Sequence, residues 1–349
     1  MVNIVAALWL RLPLAIAWST PGAAVLLAAS GGGIRFSDAV GAFLVSSILL
    51  LLCGLWRALG RAIVRIPRPL ASAMLAGVLF PICLAPIHAV ATLPLLAGPV
   101  VIVWLVLFRL APRWAVPAAM AMAVIAVFIS AGTGWLGSAT LAPHLEFVSP
   151  TVDPVTILSL GLPLFIVTMA GQNVPGFTVM STYGYVAPPR FALVSTGLGS
   201  VAANLFGGHA INLGAITAAI MAGPDAHPDR AKRWIATLTN GVLYIVLGLG
   251  AGVATALVSA APTVLITAVA GLAVLGALVT SVVNAMEDPH HRITAVVTFL
   301  VVASGVVVLG IGSPFWGLLV GGIVMAWLSW TRRPRPEPSP TELSPTDAG

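Results

Sequence analysis

One ionisable side chain stands deep inside an apolar stretch: His209, in Phe206-Gly-Gly-His-Ala-Ile-Asn-Leu-Gly214. An ionisable group at such depth marks a functional site by default; the alternative is a neutral core histidine bonded to a backbone carbonyl. The Gly207-Gly208 pair before it would let a ligand approach the backbone closely. A second constellation is Met169-Ala-Gly-Gln172-Asn173-Val-Pro175-Gly176. Its amides and proline suggest either a helix break with polar groups turned inward or a helix C-terminus at a membrane surface. The third, Trp18-Ser19-Thr20-Pro21-Gly22, is a good helix start, with hydroxyl residues just before a first-turn proline. Two half-helix N-termini, near Thr20 and near His209–Asn212, would present positive dipole ends to one spot. That spot suits a carboxylate or another small anion. Phe165, Met169, Phe206 and Ile211 around it suit a ring or hydrocarbon body, so the expected guest is a small hydrophobic anion. Its expected ligands are Ser19, Thr20, Gln172, Asn173, Gly208, His209, Ala210 and Asn212.

Other chemistry is poorly represented. All ten carboxylates, including Asp38, Glu146, Asp153 and Asp229, fall outside the apolar spans or at their edges. No acid pair is set for hydrolysis, and no acid relay crosses the apolar region. A proton-coupled cycle would have to use His209 or protonate the substrate. Glu287-Asp288 followed by His290-His291 has the donor types of a metal cluster, but reads as a solvated loop. Cys53 and Cys83 lie in apolar runs with no CxxC or His spacing, as small buried hydrophobes do. Neither an enzyme, a metal nor a cofactor is expected.

The elements that must position these residues follow from composition. The 349 residues include only 16 basic and 10 acidic ones, 7% charged against 59% hydrophobic, and mean hydropathy is +1.06. A soluble domain carries about 25% charged residues. So little polar surface excludes an ordinary cytosolic enzyme, a disordered chain and a nucleic-acid binder, and makes the lipid bilayer the medium. The absence of alternating ten-residue strands excludes a membrane barrel. Expected spans are 39–57, 69–86, 91–109, 114–131, 155–172, 190–206, 209–222, 234–259, 263–285, 293–311 and 313–330, with a short element at 19–30 and an apolar stub at 3–10. Pro86–His88, Pro262 and Gly310–Pro314 supply the breaks. The elements at 19–30 and 209–222 are too short for the roughly 20 residues a span needs, and helices that start mid-bilayer are tolerated where they line a cavity. Gly22–Ala29 resembles Gly214–Met221, Gly54-Leu55 matches Gly248-Leu249, and Ala76–Leu79 resembles Ala270–Ala273, at nearly one offset. An internal repeat with a broken helix in each half is the expected architecture of a secondary transporter.

With these spans, every basic residue except Arg35 falls on one side, which the positive-inside rule makes the cytoplasm. The loop at 132–154 then faces outward, and the Pro-rich tail at 331–349 is a disordered cytoplasmic segment.

At these motifs the sequence resembles the BenE-type benzoate:proton symporter family. The likeness lies in Ala17-Trp-Ser-Thr-Pro-Gly-Ala-Ala24, Ile66-Pro-Arg-Pro-Leu-Ala-Ser-Ala-Met-Leu-Ala-Gly-Val78, the stretch Leu162–Gly176, Phe206–Ile220, Met221-Ala-Gly-Pro-Asp-Ala-His227 and Leu309-Gly-Ile-Gly-Ser-Pro-Phe-Trp-Gly-Leu318, and covers about residues 4–330. The resemblance implies an all-α polytopic fold shared with uracil/xanthine permeases and sulfate/bicarbonate carriers: fourteen segments in two inverted repeats, divided into a core and a gate that move like an elevator. The short elements look like its third and tenth segments. Gln172 and His209 stand where uracil permeases place acidic substrate ligands. Family members carry a full first and second segment ahead of the Trp-Ser-Thr-Pro motif, where this sequence has only Met1–Leu10, so about 12 of 14 segments are expected and the chain reads as N-terminally truncated. Core segments are expected at 1–57 and 155–259, gate segments at 66–131 and 263–330. The implied function is import of benzoate or a related small aromatic carboxylate with protons across a bacterial inner membrane, as a chain able to form homodimers. Transport of another small anion or a nucleobase, and a non-transporting truncated relative, are the alternatives.

Overall fold

A computed structural model describes residues 1–29, 33–56, 67–135, 145–224, 226–309 and 311–330. The tail at 331–349, the basic residues Arg57, Arg61 and Arg65, and the middle of the 132–154 loop lie outside the described residues.

The described residues are mostly helical, with one small two-stranded ribbon. Helix α1 (Val2–Leu10) leads to strand β1 (Ile16–Trp18), the short helix α2 (Thr20–Ala29) and the long helix α3 (Phe36–Leu55). Helices α4 (Arg68–Thr92), α5 (Pro94–Leu110) and α6 (Pro112–Ala131) follow. Then come α7 (Pro154–Thr182), α8 (Pro189–Asn204), strand β2 (Ile211–Leu213) and the short helix α9 (Ala215–Ala222). Helices α10 (Trp234–Leu249), α11 (Ala251–Ala260), α12 (Thr263–Met286), α13 (Arg292–Ala303) and α14 (Ser313–Trp330) complete the described chain. Five of these, α3, α4, α6, α7 and α12, are long and apolar enough to cross a membrane by length and composition, and α10–α11 makes a sixth if its 57° bend lies within one span.

Several boundaries differ from the sequence expectation. The break expected at Pro86–His88 is absent: α4 runs through Pro81 and Pro86 and stops at Leu93. Pro86 removes the N–H that the Ile82 carbonyl would accept. Gly271 of α12 packs its bare backbone against that carbonyl and against Pro86 Cδ, so close that a side chain there would collide. Intramembrane prolines persist where a neighbouring helix covers the freed carbonyl. The helix expected at 155–172 continues to Thr182, with π-helical turns at Ile157–Gly161 and Met169–Asn173. Each turn lies just ahead of a proline, Pro163 or Pro175, which cannot donate to the preceding turn; the helix widens rather than breaking. The helix expected at 293–311 ends at Ala303. The half-helix expected from 209 begins only at Ala215, because 211–213 is strand.

That strand carries the constraint specific to this fold. β1 pairs antiparallel with β2, Ile16 opposite Leu213, Ala17 opposite Asn212 and Trp18 opposite Ile211. Ser19 N–H donates to Ala210 O at 2.8 Å and Gly214 N–H to Ala15 O at 2.9 Å, extending the ladder at both ends. A two-stranded ribbon has two open edges, and within lipid each edge group must find a partner. Asn3 of α1 closes the β1 edge: its Nδ2 donates to Ile16 O at 2.6 Å and its Oδ1 accepts from Ile16 N–H at 2.8 Å. On the β2 edge, Ile211 N–H donates to Ser200 Oγ at 2.8 Å and Leu213 N–H to Asn173 Oδ1 at 2.9 Å. Asn3, Ser200 and Asn173 are all buried.

Around the ribbon, α8 packs antiparallel on α3: a Cβ on Gly54 would meet Leu193, one on Gly197 would meet Leu51, and Asn204 Nδ2 donates to Ser47 Oγ at 2.8 Å. Helix α4 packs on α12 and α13, with Ala73, Ala285 and Ala295 meeting at one end of the group. At the other end of α3, Asp38 accepts from Arg35 Nε at 2.9 Å and from the Thr151 hydroxyl, fastening the segment before α7. This pairing accounts for Arg35, the basic residue out of step with the rest.

Asn3→Val should lower the unfolding stability in detergent by about 2–5 kcal/mol, since it strands two buried backbone groups at once. Asn3→Asp, which sets a buried carboxylate oxygen against the Ile16 carbonyl, should lower it at least as far. Equal stability for all three proteins would remove Asn3 from this role.

Candidate functional site

The first turn of α2 is built around Ser19. Its Oγ accepts from Gly22 N–H at 3.0 Å, the N-cap arrangement that spares one orphan donor. The same Oγ lies 2.8 Å from Thr168 Oγ1 on α7. Only glycine fits at position 22: a Cβ there would stand 2.6 Å from Leu164 Cδ1 and 2.8 Å from Ser19 Cβ. Helix α2 therefore starts pressed against α7, with Ser19 buried while Trp18 and Thr20 beside it are exposed.

His209 meets this turn from the other strand. Its Nε2 lies 3.0 Å from Ser19 O, and its ring stands edge-on to Trp18 with centroids 5.4 Å apart. A carbonyl oxygen only accepts, so Nε2 carries the hydrogen and Nδ1 is left as the free acceptor. Both readings of His209 thus have a footing: it is bonded to a carbonyl, and that carbonyl belongs to the half-helix start. The same Ser19 carbonyl accepts Ala23 N–H at 2.8 Å, the first bond of α2.

Asn212 is the unusual member. It is fully buried, and neither its Oδ1 nor its Nδ2 has a hydrogen-bond partner among the described residues. Leaving a buried amide unpaired costs about 1–3 kcal/mol per group. It sits three residues before α9 and opposite Ala17, between the starts of the two short helices.

The structure brings Ser19, Asn173, His209, Ala210 and Asn212 together around the ribbon, with Gln172 in the adjoining π turn. Gly171, next to Gln172, faces Pro21 and Leu75: a Cβ there would lie 3.9 Å from Pro21 Cγ and 3.5 Å from Leu75 Cδ2. Three expected details shift. Asn173 spends its oxygen on Leu213 N–H, and its Nδ2 lies 3.7 Å from Met169 Sδ, so its amide is engaged in holding β2. Gly207 has φ of +77° and Gly208 N–H donates to Ala203 O at 2.9 Å, so the glycine pair turns the chain out of α8. Phe165 and Met169 are packed in the main hydrophobic cluster, and Phe206 pairs with Phe147 away from it, centroids 6.4 Å apart. Thr168, Asn3 and Ser200 were missed as candidates. Thr168 had a signal, standing four residues before Gln172 on the same helix face; Asn3 and Ser200 become meaningful only once the ribbon is known.

The acidic and histidine loop at 287–291 is a capped turn. Asp288 accepts from His290 N–H at 2.9 Å and pairs with His291 Nδ1 at 2.6 Å, and this His291 bond holds its carboxyl below the usual range. Among the described residues no three His, Cys, Asp or Glu side chains come close enough to hold a metal.

Replacing Asn212 by leucine removes an unpaired amide, so Asn212→Leu should leave stability unchanged or raise it by up to about 2 kcal/mol, while abolishing ligand-induced stabilisation. A clear loss of stability would mean that the amide serves the fold instead.

Comparison with known proteins agrees with the membrane architecture. The family model described as benzoate membrane transport protein matches residues 1–327. The chain is similar to the inner membrane protein YdcO of Escherichia coli (strain K12), 40% identical over 317 residues, covering 90% of this chain and 81% of that protein. It is also similar to the benzoate membrane transport protein of Acinetobacter baylyi (strain ATCC 33305 / BD413 / ADP1), 33% identical over 314 residues, covering 89% and 79%. With a match spanning nearly the whole chain, and apolar helices arranged around the ribbon, the chain belongs to the benzoate membrane transport protein family.

Proposed function

We propose that the chain is a secondary active transporter of the bacterial inner membrane that imports benzoate or a related small aromatic carboxylate together with protons. The observation that carries this reading is the buried, unpaired amide of Asn212 between the starts of α2 and α9. Helix starts carry orphan N–H groups and partial positive charge, and an unpaired buried amide offers two further donors. Together they favour a carboxylate, with His209 Nδ1 at hand for a proton. A proton on Nδ1 adds positive charge as the anion arrives, and its loss favours release. Gln172 lies in the adjoining π turn. The family membership and the name of the Acinetobacter relative support the aromatic acid as substrate.

The inverted repeat is part of this proposal. Strand-then-short-helix occurs twice, the strands pair antiparallel, and the sequence likeness between residues 22–29 and 214–221 falls on these helices. In it, α1–α3 and α7–α11 belong to the core, and α4–α6 and α12–α14 to the gate. The side bearing Arg68, Arg109, Arg113, Arg190 and Arg230 faces the cytoplasm.

Radiolabelled benzoate should accumulate in cells expressing the chain and be released by a protonophore. His209→Ala should cut uptake at least several-fold with normal membrane insertion; unchanged uptake would remove His209 from the mechanism. Equilibration without accumulation would indicate a passive pathway. A green fluorescent protein fused after Gly349 should fluoresce, and an alkaline phosphatase fused there should be inactive.

A further inference from the structure

A cavity of about 820 Å³ lies between α2 and the helices α4 and α12, apart from the half-helix starts. Val25 and Ala29 of α2 and Ser159 of α7 form one wall; Val78 and Ile82 of α4 and Val264 of α12 belong to the other. Ile34, just before α3, also lines it, so it lies at the end of the molecule where Thr151 fastens α3. Its lining is mostly apolar. The hydroxyls of Ser159, Thr267 and Ser313 are bonded to backbone carbonyls. His88, exposed on α4, is the one ionisable side chain on its described wall.

The cavity stops short of the candidate site by one helical turn. Val25 is four residues after Pro21, and Val78 three after Leu75. Pro21 and Leu75 close together over Gly171 beneath it, each within ordinary contact distance of a Cβ built there. On both helices the step from cavity to site is thus about one 5.4 Å pitch. An apolar chamber with one titratable polar group at its wall matches a ligand with a ring and one charged end.

We propose that this cavity is an entry vestibule that holds the aromatic carboxylate before it reaches the half-helix starts, with the ring against Ile82, Ala85 and Val264 and the carboxylate toward His88. This rests on the proposed transport of an aromatic acid. The chamber exceeds one aromatic ring several-fold, so it holds the ligand loosely; tight binding belongs to the deeper site. Passage onward needs α2 and α4 to part at Pro21 and Leu75.

The test uses the full chain with Cys53→Ala and Cys83→Ala, carrying Val78→Cys or, should that variant fail to fold, Thr267→Cys. A membrane-impermeant thiol reagent should label either position from the side bearing residues 145–153. Benzoate at concentrations well above the KM for uptake, where a loose site fills, should slow labelling at least several-fold by occupancy. Leu145→Cys, exposed in the segment before α7, should label from the same side with no benzoate effect. His88→Leu should raise KM for uptake several-fold and leave kcat unchanged. Labelling that benzoate does not slow, or labelling only from the opposite side, overturns the vestibule. Uptake by the unsubstituted chain is read separately: its absence counts against transport, while protection at Val78→Cys still reports on the vestibule.

Discussion

A backbone that leaves helical geometry inside a bilayer must hydrogen-bond every group it frees, and much of this structure answers that demand. The β1–β2 ribbon interrupts two helical runs at one level. Its inner bonds are supplied by its own ladder, and its outer edges are closed by Asn3, Ser200 and Asn173 from three different helices. Each is polar and fully buried or nearly so, a costly placement for side chains that serve no backbone group. The helices α1, α7 and α8 are thereby tied to the ribbon through directional bonds rather than through apolar contact alone. In lipid, where apolar contact has no solvent to expel, such bonds and close packing are what remain to fix geometry.

Among the described residues, Asn212 is the buried amide with neither atom paired. Asn173 and Asn212 are chemically alike, both fully buried and close in space, yet one is engaged through its oxygen and the other not at all. That difference separates scaffolding from binding in a way residue type cannot. Asn173 reaches β2 from the end of the π turn at Met169–Asn173. Pro175, by denying the helix its usual bond, supports that turn.

The helical membrane class was legible from charge scarcity and apolar run length, and the half-helix at 20–29 from Ser19-Thr20-Pro21-Gly22, because capping chemistry is local. Residues that act across the chain were less legible. β1 and β2 are three residues long with no alternation to betray them, and each is a strand only because its partner lies almost two hundred residues away. The continuation of α4 through Pro86 depends on Gly271, and nothing near Pro86 in the sequence announces it. His209 could be singled out as ionisable and deep, but its bond to Ser19 could not, since it joins the two halves.

That bond gives the ribbon a role beyond support. The Ser19 carbonyl accepts both Ala23 N–H, which begins α2, and His209 Nε2–H, which arrives from the β2 side. A carbonyl shared by two donors is sensitive to the charge of either. On the proposed transport reading, a proton taken up at Nδ1 strengthens the Nε2–H donor and draws electron density from the Ser19 carbonyl at the point where α2 begins. The start of α2 becomes a better host for an anion while the imidazolium supplies attraction of its own. Proton and carboxylate then favour one another's binding through a single peptide unit, and the coupling needs no acidic residue in the membrane-spanning part of the chain.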